Sequence, residues 1–523
     1  MSLTAETLRP DRAESWIAAV RRFADVALAA GRDRYGASPT PLLADGLDVV
    51  TLEPVIWRVN GEEWILSNWA SQQIFMRTLT GLSRILHDDR YRQAAEDITA
   101  FALTALRPQR LFTWGGHMAF DLAKKRAVYA PDKGPVHELK CHYPDYDLMW
   151  QVNPEATRDY IEAVWEAHIL DWDSLEFSRH GRLPPEAPPQ ERLWARPYAR
   201  RPVPFVSQGL TFINAGSDLV YAAALLSDLS HDPAPLTWAK RLASRYVEVR
   251  HPKTHLGGYQ FSISVLPGPK GRGDRAVEQF GEQLKAHEPT EVTLCVDRQI
   301  RTILGRAAIN KMLLGMRLGP AGEEFQRWAV EDLLAYAHWS YLPEAHAFAP
   351  VLTDGTRLDG LRIERSGYYG RAGDVLMPLK SDYLLLWSYA LGYRLTRDPI
   401  LWEMVQSLLE ALWPRTGDVA PDPVALFAFL DLYQATDDRE FLVDAAQVAD
   451  AIVARQTASG LFLSPRGRQY GKLDALEPLA LLHLANAALG YPERLPHYWA
   501  SRAFFGSQYG DLGHMTDDQL FYP

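Results

Sequence analysis

Residues 231–247 read HDPAPLTWAKRLASRYV, and this segment predicts how the chain folds. One helix, with apolar residues at three- and four-residue spacing, ends just before it, and a second helix with the same spacing runs through it. Asp232 stands at the start of the second helix, where its carboxylate can accept hydrogen bonds from N–H groups that lack a partner within the helix. The segment therefore predicts an antiparallel helical hairpin with an acidic turn.

This pattern recurs along the chain, which indicates a fold made of repeated helix pairs. The related segments read HDDRYRQAAEDITAFA from residue 87, RDPILWEMVQSLLEAL from residue 397 and DDREFLVDAAQVADAI from residue 437. Helical spacing predicts helices over 14–30, 69–86, 90–106, 214–229, 236–250, 297–316, 323–339, 381–395, 399–413, 422–434, 439–456 and 472–489. Repeated pairs of this kind suit a solenoid or a closed double ring of helices.

Three short runs are typical of β-strands that decorate such helices. They cover residues 47–58, 259–265 and 347–352. The segment 184–204, rich in Pro and Arg, is interpreted as a long functional loop and not as a linker between domains. We therefore expect one catalytic domain over residues 1–523 that is all-α dominated, with small β-hairpins and long loops.

The composition argues against several classes of function. The net charge is −10, so nucleic acid is not an expected partner, and an acidic substrate would have to be held by a local basic cleft. Two cysteines exclude a disulfide framework. The N-terminal residues lack the pattern of a secretory leader, and nothing in the chain is apolar enough to cross a membrane. These features predict a cytoplasmic protein.

The segment 112–182 combines five His and four Trp with several carboxylates in loops that contain Gly and Pro. Three of its residues, His117, Glu138 and His180, are typical metal ligands, and Arg179 directly precedes the last of them. No short-spaced ligand motif joins them, and a dispersed trio of this kind is more often a set of unconnected residues. Two imidazoles and one carboxylate would suit manganese, cobalt or nickel.

Four motifs in and around this segment resemble those of the second family of polysaccharide lyases, which are pectate lyases. They are WGGH from residue 114, HELKxHxPxY from residue 137, VNPxATRxxIExxWxAHxxDW from residue 152 and SRHG from residue 178. The resemblance covers most of the chain and implies an (α/α)7 barrel of helical hairpins. It also implies β-elimination of polygalacturonate with the help of a divalent transition metal, for which manganese is the first choice.

The family's site residues carry over onto positions of this chain where the residue types agree. The metal ligands fall on His117, Glu138 and His180, and the base that removes the proton falls on Arg179. Arginine is normally protonated, so the residues alone favour Lys140 or a histidine as base. An alternative role for Arg179 is a clamp on the substrate carboxylate.

Further basic and aromatic residues are candidates for holding the remaining uronates of a substrate. The predicted substrate-binding residues are Lys140, Trp172, Arg196, Arg200, Tyr259, Arg365 and Tyr368. The densest cluster of such residue types is Arg192, Trp194, Arg196, Tyr198, Arg200 and Arg201, which alternatively is a solvated charge run. His137 and His142 are candidates to assist the metal site, whereas His168 is interpreted as a packing residue within a helix.

The leading hypothesis is an exo-acting pectate lyase that releases unsaturated digalacturonate from oligogalacturonides. An endo-acting pectate lyase is one alternative. A hydrolase for unsaturated uronides, which would use an Asp and no metal, is another, and a non-catalytic oligogalacturonide-binding protein is a third. We expect a monomer that binds neither membrane nor nucleic acid.

Overall fold

A computed structural model describes residues 10–59, 61–113, 118–129, 134–139, 141–183, 193–264, 274–285, 290–413, 419–463 and 470–501. The described residues divide into two compact units. Unit 1 comprises those of Met1–Val164, His180–Pro189 and Asp418–Pro523, and unit 2 comprises those of Trp165–Arg179 and Gln190–Gly417.

Helices dominate the described residues. They are α1 Pro10–Ala30, α2 Gln73–Leu86, α3 Asp89–Ala105, α4 Tyr146–Val152, α5 Pro154–His168, α6 Ile213–Ser230, α7 Pro233–Glu248, α8 Arg275–Phe280, α9 Asp297–Ile300, α10 Ala308–Leu318, α11 Glu323–Trp339, α12 Tyr383–Thr396, α13 Pro399–Leu412, α14 Pro423–Thr436, α15 Glu440–Ala454 and α16 Glu477–Leu489. A π-helix, Arg301–Ala307, joins α9 to α10. Short 3-10 turns cover Pro108–Arg110, Leu193–Ala195, Gly281–Gln283, Gly319–Gly322 and Pro343–Ala345.

The strands are short and pair in small separate sheets. They are β1 Gly46–Asp48, β2 Trp57–Val59, β3 Glu62–Trp64, β4 Leu66–Ser67, β5 Met118–Asp121, β6 Arg126–Tyr129, β7 His137–Glu138, β8 Ile169–Asp171, β9 Glu176–Phe177, β10 His180–Gly181, β11 Val206–Ser207, β12 Ile263–Ser264, β13 Leu294–Cys295, β14 Tyr341–Leu342, β15 Ala347–Phe348, β16 Val351–Leu352, β17 Leu379–Lys380 and β18 Tyr470–Lys472. The two larger sheets have the strand orders β4-β5-β6 and β14-β15-β17.

A short turn joins the helices of four hairpins, with two residues in α2–α3, α6–α7 and α12–α13 and three in α14–α15. Its first residue has a left-handed backbone, with φ of 51° at His87, 59° at His231, 60° at Arg397 and 58° at Asp437. Its second residue is an Asp that accepts a hydrogen bond from the N–H group two residues later, as the predicted helix cap does. The left-handed residue ends one helix and the aspartate caps the next, so the chain reverses within two or three residues.

Unit 1 packs its hairpins α2–α3 and α14–α15 with α1 and α16. Helix α16 contacts α1, α2 and α14. Phe23 of α1 lies in the centre of this core, with its ring 5.6 Å from the rings of both Phe75 and Phe462. Trp16 donates a hydrogen bond of 2.8 Å to Asp450, which ties α1 to α15.

Unit 2 contains the hairpins α6–α7, α10–α11 and α12–α13. Helix α10 packs between α6 and α12, while α11 contacts α7 and α13. A buried ion network joins these helices: Arg250, two residues after α7, lies 2.8 Å from Asp332 of α11, and Lys311 of α10 lies 3.0 Å from the same carboxylate. Because the opposite charges are paired, the network can be buried.

The predicted all-α dominated class, built of helical hairpins with small β-elements, is confirmed. Closure of the hairpins into a ring of seven and the single domain over residues 1–523 stay predictions. The continuous strand 47–58 is wrong, because the Asp48 carboxylate accepts hydrogen bonds from Val50 and Thr51 and turns the chain after β1. The helix predicted from residue 472 begins at Glu477, because Lys472 pairs with Gly46 in the β1–β18 sheet. Among the described residues, no helix has the length and apolar character needed to cross a membrane.

Candidate active site

The strands β7 and β10 bring two predicted metal ligands face to face. They pair antiparallel, with Glu138 directly opposite His180 and His137 opposite Gly181. Residues directly opposite in an antiparallel pair project to the same side of the sheet. The His180 Nε2 atom lies 3.5 Å from Glu138 Oε1, the Glu138 side chain is fully buried, and 26% of the His180 side chain is exposed. The sheet thus sets a carboxylate and an imidazole side by side.

The loop after β7 is held in an unusual backbone conformation. Cys141 and Tyr143 have φ of 60° and 45°, a region that is costly for residues with a side chain. Helix α2 fixes this loop, since Arg77 donates a 2.8 Å hydrogen bond to the Tyr143 carbonyl oxygen. His142 donates a 2.6 Å hydrogen bond to the Glu138 carbonyl oxygen. Strain of this kind persists only where the surroundings impose it, and it is common at functional sites.

The histidines expected to assist the site support the backbone around it. Buried His137 lies 3.3 Å from the hydroxyl of Tyr160 on α5, and His142 holds the carbonyl group of Glu138. His168 is a buried packing residue, as predicted. Its Nδ1 atom donates a 2.7 Å hydrogen bond to the Ser178 carbonyl oxygen, and Ser178 N–H donates one of 2.9 Å to the His168 carbonyl oxygen. This reciprocal pair fixes the chain immediately before Arg179.

Arg179 and Tyr259 lie against the same aromatic ring. The guanidinium carbon of Arg179 is 5.8 Å from the centroid of the Phe212 ring, a cation–π distance. The ring of Tyr259 is 5.1 Å from that of Phe212, and the Tyr259 carbonyl oxygen accepts a 2.7 Å hydrogen bond from Ile213 at the start of α6. The structure therefore brings together the predicted base and one predicted substrate-binding residue.

Trp172 and Arg196 also lie together. The Arg196 guanidinium is 4.7 Å from the Trp172 ring centroid, and the Trp172 ring rests on those of Trp165 and Trp238 at 5.9 and 5.1 Å. Among the described residues, Arg196 forms no ion pair. A half-buried indole backed by aromatic rings and covered by a guanidinium is suited to hold an anionic sugar.

Much of the remaining basic and aromatic cluster has structural partners. Trp194 is buried, and its carbonyl oxygen accepts a hydrogen bond of 2.9 Å from Trp238. Arg200 pairs with Glu248 at 3.1 Å, and Arg201 pairs with Asp173 at 3.2 Å. The Tyr198 ring packs on Trp238, with centroids 5.6 Å apart. Substrate binding by Arg200 stays a prediction.

Arg365 and Tyr368 lie in a separate loop of unit 2 that packs on Gln279 of α8. Three candidates, His117, Lys140 and Arg192, fall outside the described residues. Within the described ranges no group of three or more His, Cys, Asp or Glu side chains is arranged to hold a metal. Glu138 and His180 nevertheless provide the nitrogen and oxygen donors that a first-row transition metal accepts, so the residues present fit part of such a centre.

Sequence reasoning did not identify Phe212, Tyr160 or Arg77. Phe212 immediately precedes α6, and nothing in its local sequence indicates that Arg179 contacts it. Arg77 is 97% buried within a helix, and an arginine that directly follows the apolar run Ile74-Phe75-Met76 was a signal that could have marked a structural anchor.

The comparisons with known proteins give one strong family match. The model of a family described as "Periplasmic pectate lyase" matches residues 40–508. A pectate disaccharide-lyase of Dickeya dadantii (strain 3937) is 31% identical over 541 aligned positions, which cover 99% of this chain and 98% of that protein.

Solved structures resemble the chain more weakly. Cellobiose 2-epimerase from Spirochaeta thermophila DSM 6192 is 13% identical to this chain. The superposition has a TM-score of 0.45 and covers 94% of this chain and 100% of the epimerase. The GH76 alpha-mannanase of Bacteroides thetaiotaomicron is 10% identical, with a TM-score of 0.42 over 91% of this chain and 96% of the mannanase. At these TM-scores, neither likeness supports a conclusion about this chain.

Proposed function

Because this chain belongs to the family of pectate lyases, we propose that it cleaves α-1,4-linked oligogalacturonides by β-elimination and releases unsaturated digalacturonate from one end. The relative from Dickeya dadantii, which is named a disaccharide-lyase and aligns over 99% of this chain, supports the exo-acting form. The observation that carries the chemistry is the cross-strand pair of Glu138 and His180, with Arg179 next in the chain.

Arg179 is the proposed base. In its neutral guanidine form it takes the proton from C5 of the uronate, the electron pair of that C–H bond forms the C4–C5 double bond, and the bond from C4 to the glycosidic oxygen breaks. The departing oxygen takes a proton from solvent. The reciprocal hydrogen bonds between His168 and Ser178 hold the chain before Arg179 in place. Such positioning contributes to the rate because the base need not be reoriented during the reaction.

Glu138 and His180, with His117 as the third ligand implied by the family resemblance, are proposed to hold a divalent transition metal, most simply manganese. When bound, such a metal acts as a Lewis acid that lowers the energy of the negative charge developing on the substrate carboxylate. The strained loop of Cys141 and Tyr143, fixed from α2, keeps Glu138 in position for this role.

The compartment and the oligomeric state stay predictions. We propose a cytoplasmic location, whereas the family description uses the word periplasmic. A monomer is the expected state, and fractionation of cells together with size-exclusion chromatography would test both.

The first experiment follows the ultraviolet absorbance of the unsaturated product. The protein is mixed with trigalacturonate alone, then with EDTA, then with manganese in excess over EDTA. We expect an absorbance rise that EDTA stops and manganese restores, with unsaturated digalacturonate as the released product. A rise that EDTA does not affect would refute the metal. No rise under any of these conditions would refute the lyase activity and favour the hydrolase or the binding protein.

A further inference from the structure

The loop 364–374 of unit 2 is clamped by one buried side chain. Gln279, which is 3% exposed, donates hydrogen bonds from Nε2 to the carbonyl oxygens of Arg365 and Gly370 at 3.1 and 3.3 Å. Its Oε1 atom accepts one of 2.7 Å from Tyr369 N–H. Its carbonyl oxygen also accepts from Glu364 and Arg365 N–H at 2.8 and 3.0 Å. Five hydrogen bonds to one residue fix the shape of this loop.

The tip of the loop packs tightly against Gln279. Gly367 N–H donates a 2.9 Å hydrogen bond to the Gly370 carbonyl oxygen and closes a tight turn. A Cβ atom added at Gly367 would lie 2.7 Å from Gln279 Cδ, closer than carbon atoms pack. The glycine is therefore what allows the turn to sit on the glutamine amide.

The two tyrosines at the tip have opposite environments. Tyr369 packs on a small apolar core that includes Phe280 and Ile363, and its hydroxyl donates a 3.2 Å hydrogen bond to Glu291. Burial raises the pKa of Tyr369 well above its ordinary value. Tyr368 is 42% exposed, and its ring is perpendicular to that of Tyr369 at 5.1 Å. The loop holds Tyr369 inward, so that the preceding Tyr368 faces outward.

Arg275 supports the Tyr368 ring from beneath. Its guanidinium lies 4.2 Å from the ring centroid, and Glu291 holds the same guanidinium at 2.8 Å. A ring restrained on one side by a paired cation and on another by a perpendicular ring loses little freedom when a ligand stacks on it. An exposed aromatic ring that is already ordered is the usual platform for a sugar.

Two arginines flank this platform. Arg365 and Arg371 are both exposed, and neither guanidinium forms an ion pair within the described residues. Ala372 N–H donates a 2.9 Å hydrogen bond to the Ser366 hydroxyl oxygen, so the residues next to both arginines meet across the turn. The two acidic residues of the loop are engaged locally: Glu364 accepts from Gln283 at 3.1 Å, and Asp374 accepts from the Arg371 N–H at 2.7 Å.

We infer that this loop is a uronate-binding subsite, in which Tyr368 stacks on the sugar ring and Arg365 with Arg371 binds its carboxylate. Gln279 and Arg275 are positioning residues: they touch the loop and not the sugar. The inference rests on the proposed function for the identity of the uronate, since a neutral sugar would leave the two guanidinium groups without a carboxylate. Charge-assisted pairing of arginine with a carboxylate supplies the preference for an acidic sugar.

The test compares Tyr368→Ala with Tyr368→Phe. Within the described residues the Tyr368 hydroxyl forms no hydrogen bond, so phenylalanine keeps all that stacking needs. For trigalacturonate we expect Tyr368→Ala to raise KM about tenfold with kcat within about twofold of wild type, because only binding is lost. Tyr368→Phe should restore most of the affinity that Tyr368→Ala loses. Tyr491→Ala is the control, since Tyr491 has the same exposed fraction of 42% and should leave KM unchanged.

The positioning role has its own readout. Gln279→Leu removes the amide that holds the loop, and we expect the same rise in KM at unchanged kcat. The thermal unfolding midpoint and the near-ultraviolet circular dichroism spectrum of the protein should match those of wild type. The double variant Arg365→Ala, Arg371→Ala should bind trigalacturonate more weakly than wild type does. Its affinity for a neutral trisaccharide of galactose should fall less. Equal weakening for both sugars would overturn the assignment of the arginines.

Calorimetric titration of trigalacturonate in EDTA separates this inference from the proposed function. Trigalacturonate binding that Tyr368→Ala weakens about tenfold would support the subsite. If the unsaturated product never forms in the absorbance assay, that result would refute only the lyase activity. A wild-type protein that does not bind trigalacturonate, or a Tyr368→Ala variant that binds and cleaves it as wild type does, would overturn the subsite.

Discussion

The two candidate roles of Arg179, base and carboxylate clamp, predict different kinetics. A base acts only in the transition state, whereas a carboxylate clamp acts in the bound substrate as well. Because Arg179 packs on Phe212 and the chain before it is fixed by His168, truncation should leave the fold intact.

We predict that Arg179→Ala lowers kcat by roughly 10³-fold with little change in KM, as loss of a general base does. The measurement is initial rates of product absorbance with trigalacturonate. Arg12→Ala is the matched control, because Arg12 lies 5.9 Å from the Trp16 ring in a similar cation–π contact. A raised KM with kcat preserved would assign Arg179 to the clamp instead.

Asp45 gives a pH prediction. Burial raises the pKa of this carboxyl to about 7, although hydrogen bonds from Asn68 and Gln72 act against the rise. In the unfolded chain the group ionises near its ordinary value, so the native state loses stability as the pH rises from about 4 to about 7. Above the native pKa the loss is complete and stability no longer changes with this group.

We expect Asp45→Asn, which resembles the protonated acid, to remove this loss. Relative to wild type, the variant should gain on the order of 4 kcal/mol between pH 4 and pH 8. Thermal unfolding midpoints of both proteins across that range provide the measurement. A constant difference between the two midpoints at every pH would show that Asp45 does not titrate with folding.

At the scale of elements, the hairpin turn is the most regular device in the chain. The left-handed residue keeps the connection between the helices short. The aspartate accepts hydrogen bonds from N–H groups that have no partner at the start of a helix. At 396–398 the sequence is Thr-Arg-Asp, and the Thr396 hydroxyl oxygen also accepts a 3.2 Å hydrogen bond from Asp398 N–H. Three consecutive residues thus close both helix ends.

We predict that Asp398→Ala lowers the free energy of unfolding by about 1 kcal/mol, the usual cost of a lost helix cap. Asp398→Asn keeps a side-chain oxygen for Ile400 N–H and should cost a few tenths of that. Denaturation midpoints in urea would be compared for the three proteins. Alanine and asparagine variants with equal midpoints would show that the cap contributes nothing.

The hairpins could be predicted from the sequence because their signals are local. Apolar spacing marks each helix, and Asp232 or Asp398 marks where the second helix begins. The pairing of Glu138 with His180 was not predictable in this way, because it depends on how two loops meet in space; only the family resemblance joined them. The β1–β18 sheet also depends on how distant segments meet in space, so the sequence wrongly predicted Lys472 as part of a helix.

At the scale of the molecule, the resemblance to pectate lyases is confirmed across the chain, and it identified the enzyme class that composition alone left open. The metal, the base and the sugar subsites stay proposals. A net charge of −10 offers no general attraction for a polyanion, so any affinity must come from local arginines such as those at 365 and 371.

We predict that manganese raises the thermal midpoint of the whole protein. A ligand that binds only the native state at 100 times its Kd adds about 2.7 kcal/mol of stability. Glu138→Gln should abolish the manganese-dependent shift. Asp121→Asn is the matched control, since Asp121 is an equally buried carboxylate on a strand of unit 1 and should keep the shift. An unchanged shift in Glu138→Gln would remove Glu138 from the metal site.

The bond from Trp16 to Asp450 spans 434 positions of the chain. On a ribosome that adds about 5–20 residues per second, helix α1 emerges roughly 20 to 90 seconds before the surface that covers its apolar face exists. All of unit 2 lies between these two residues in the sequence and is synthesised in that interval. During each round of translation, the nascent chain therefore carries an exposed tryptophan face that a chaperone can bind, and unit 1 completes its core only after unit 2 has been made.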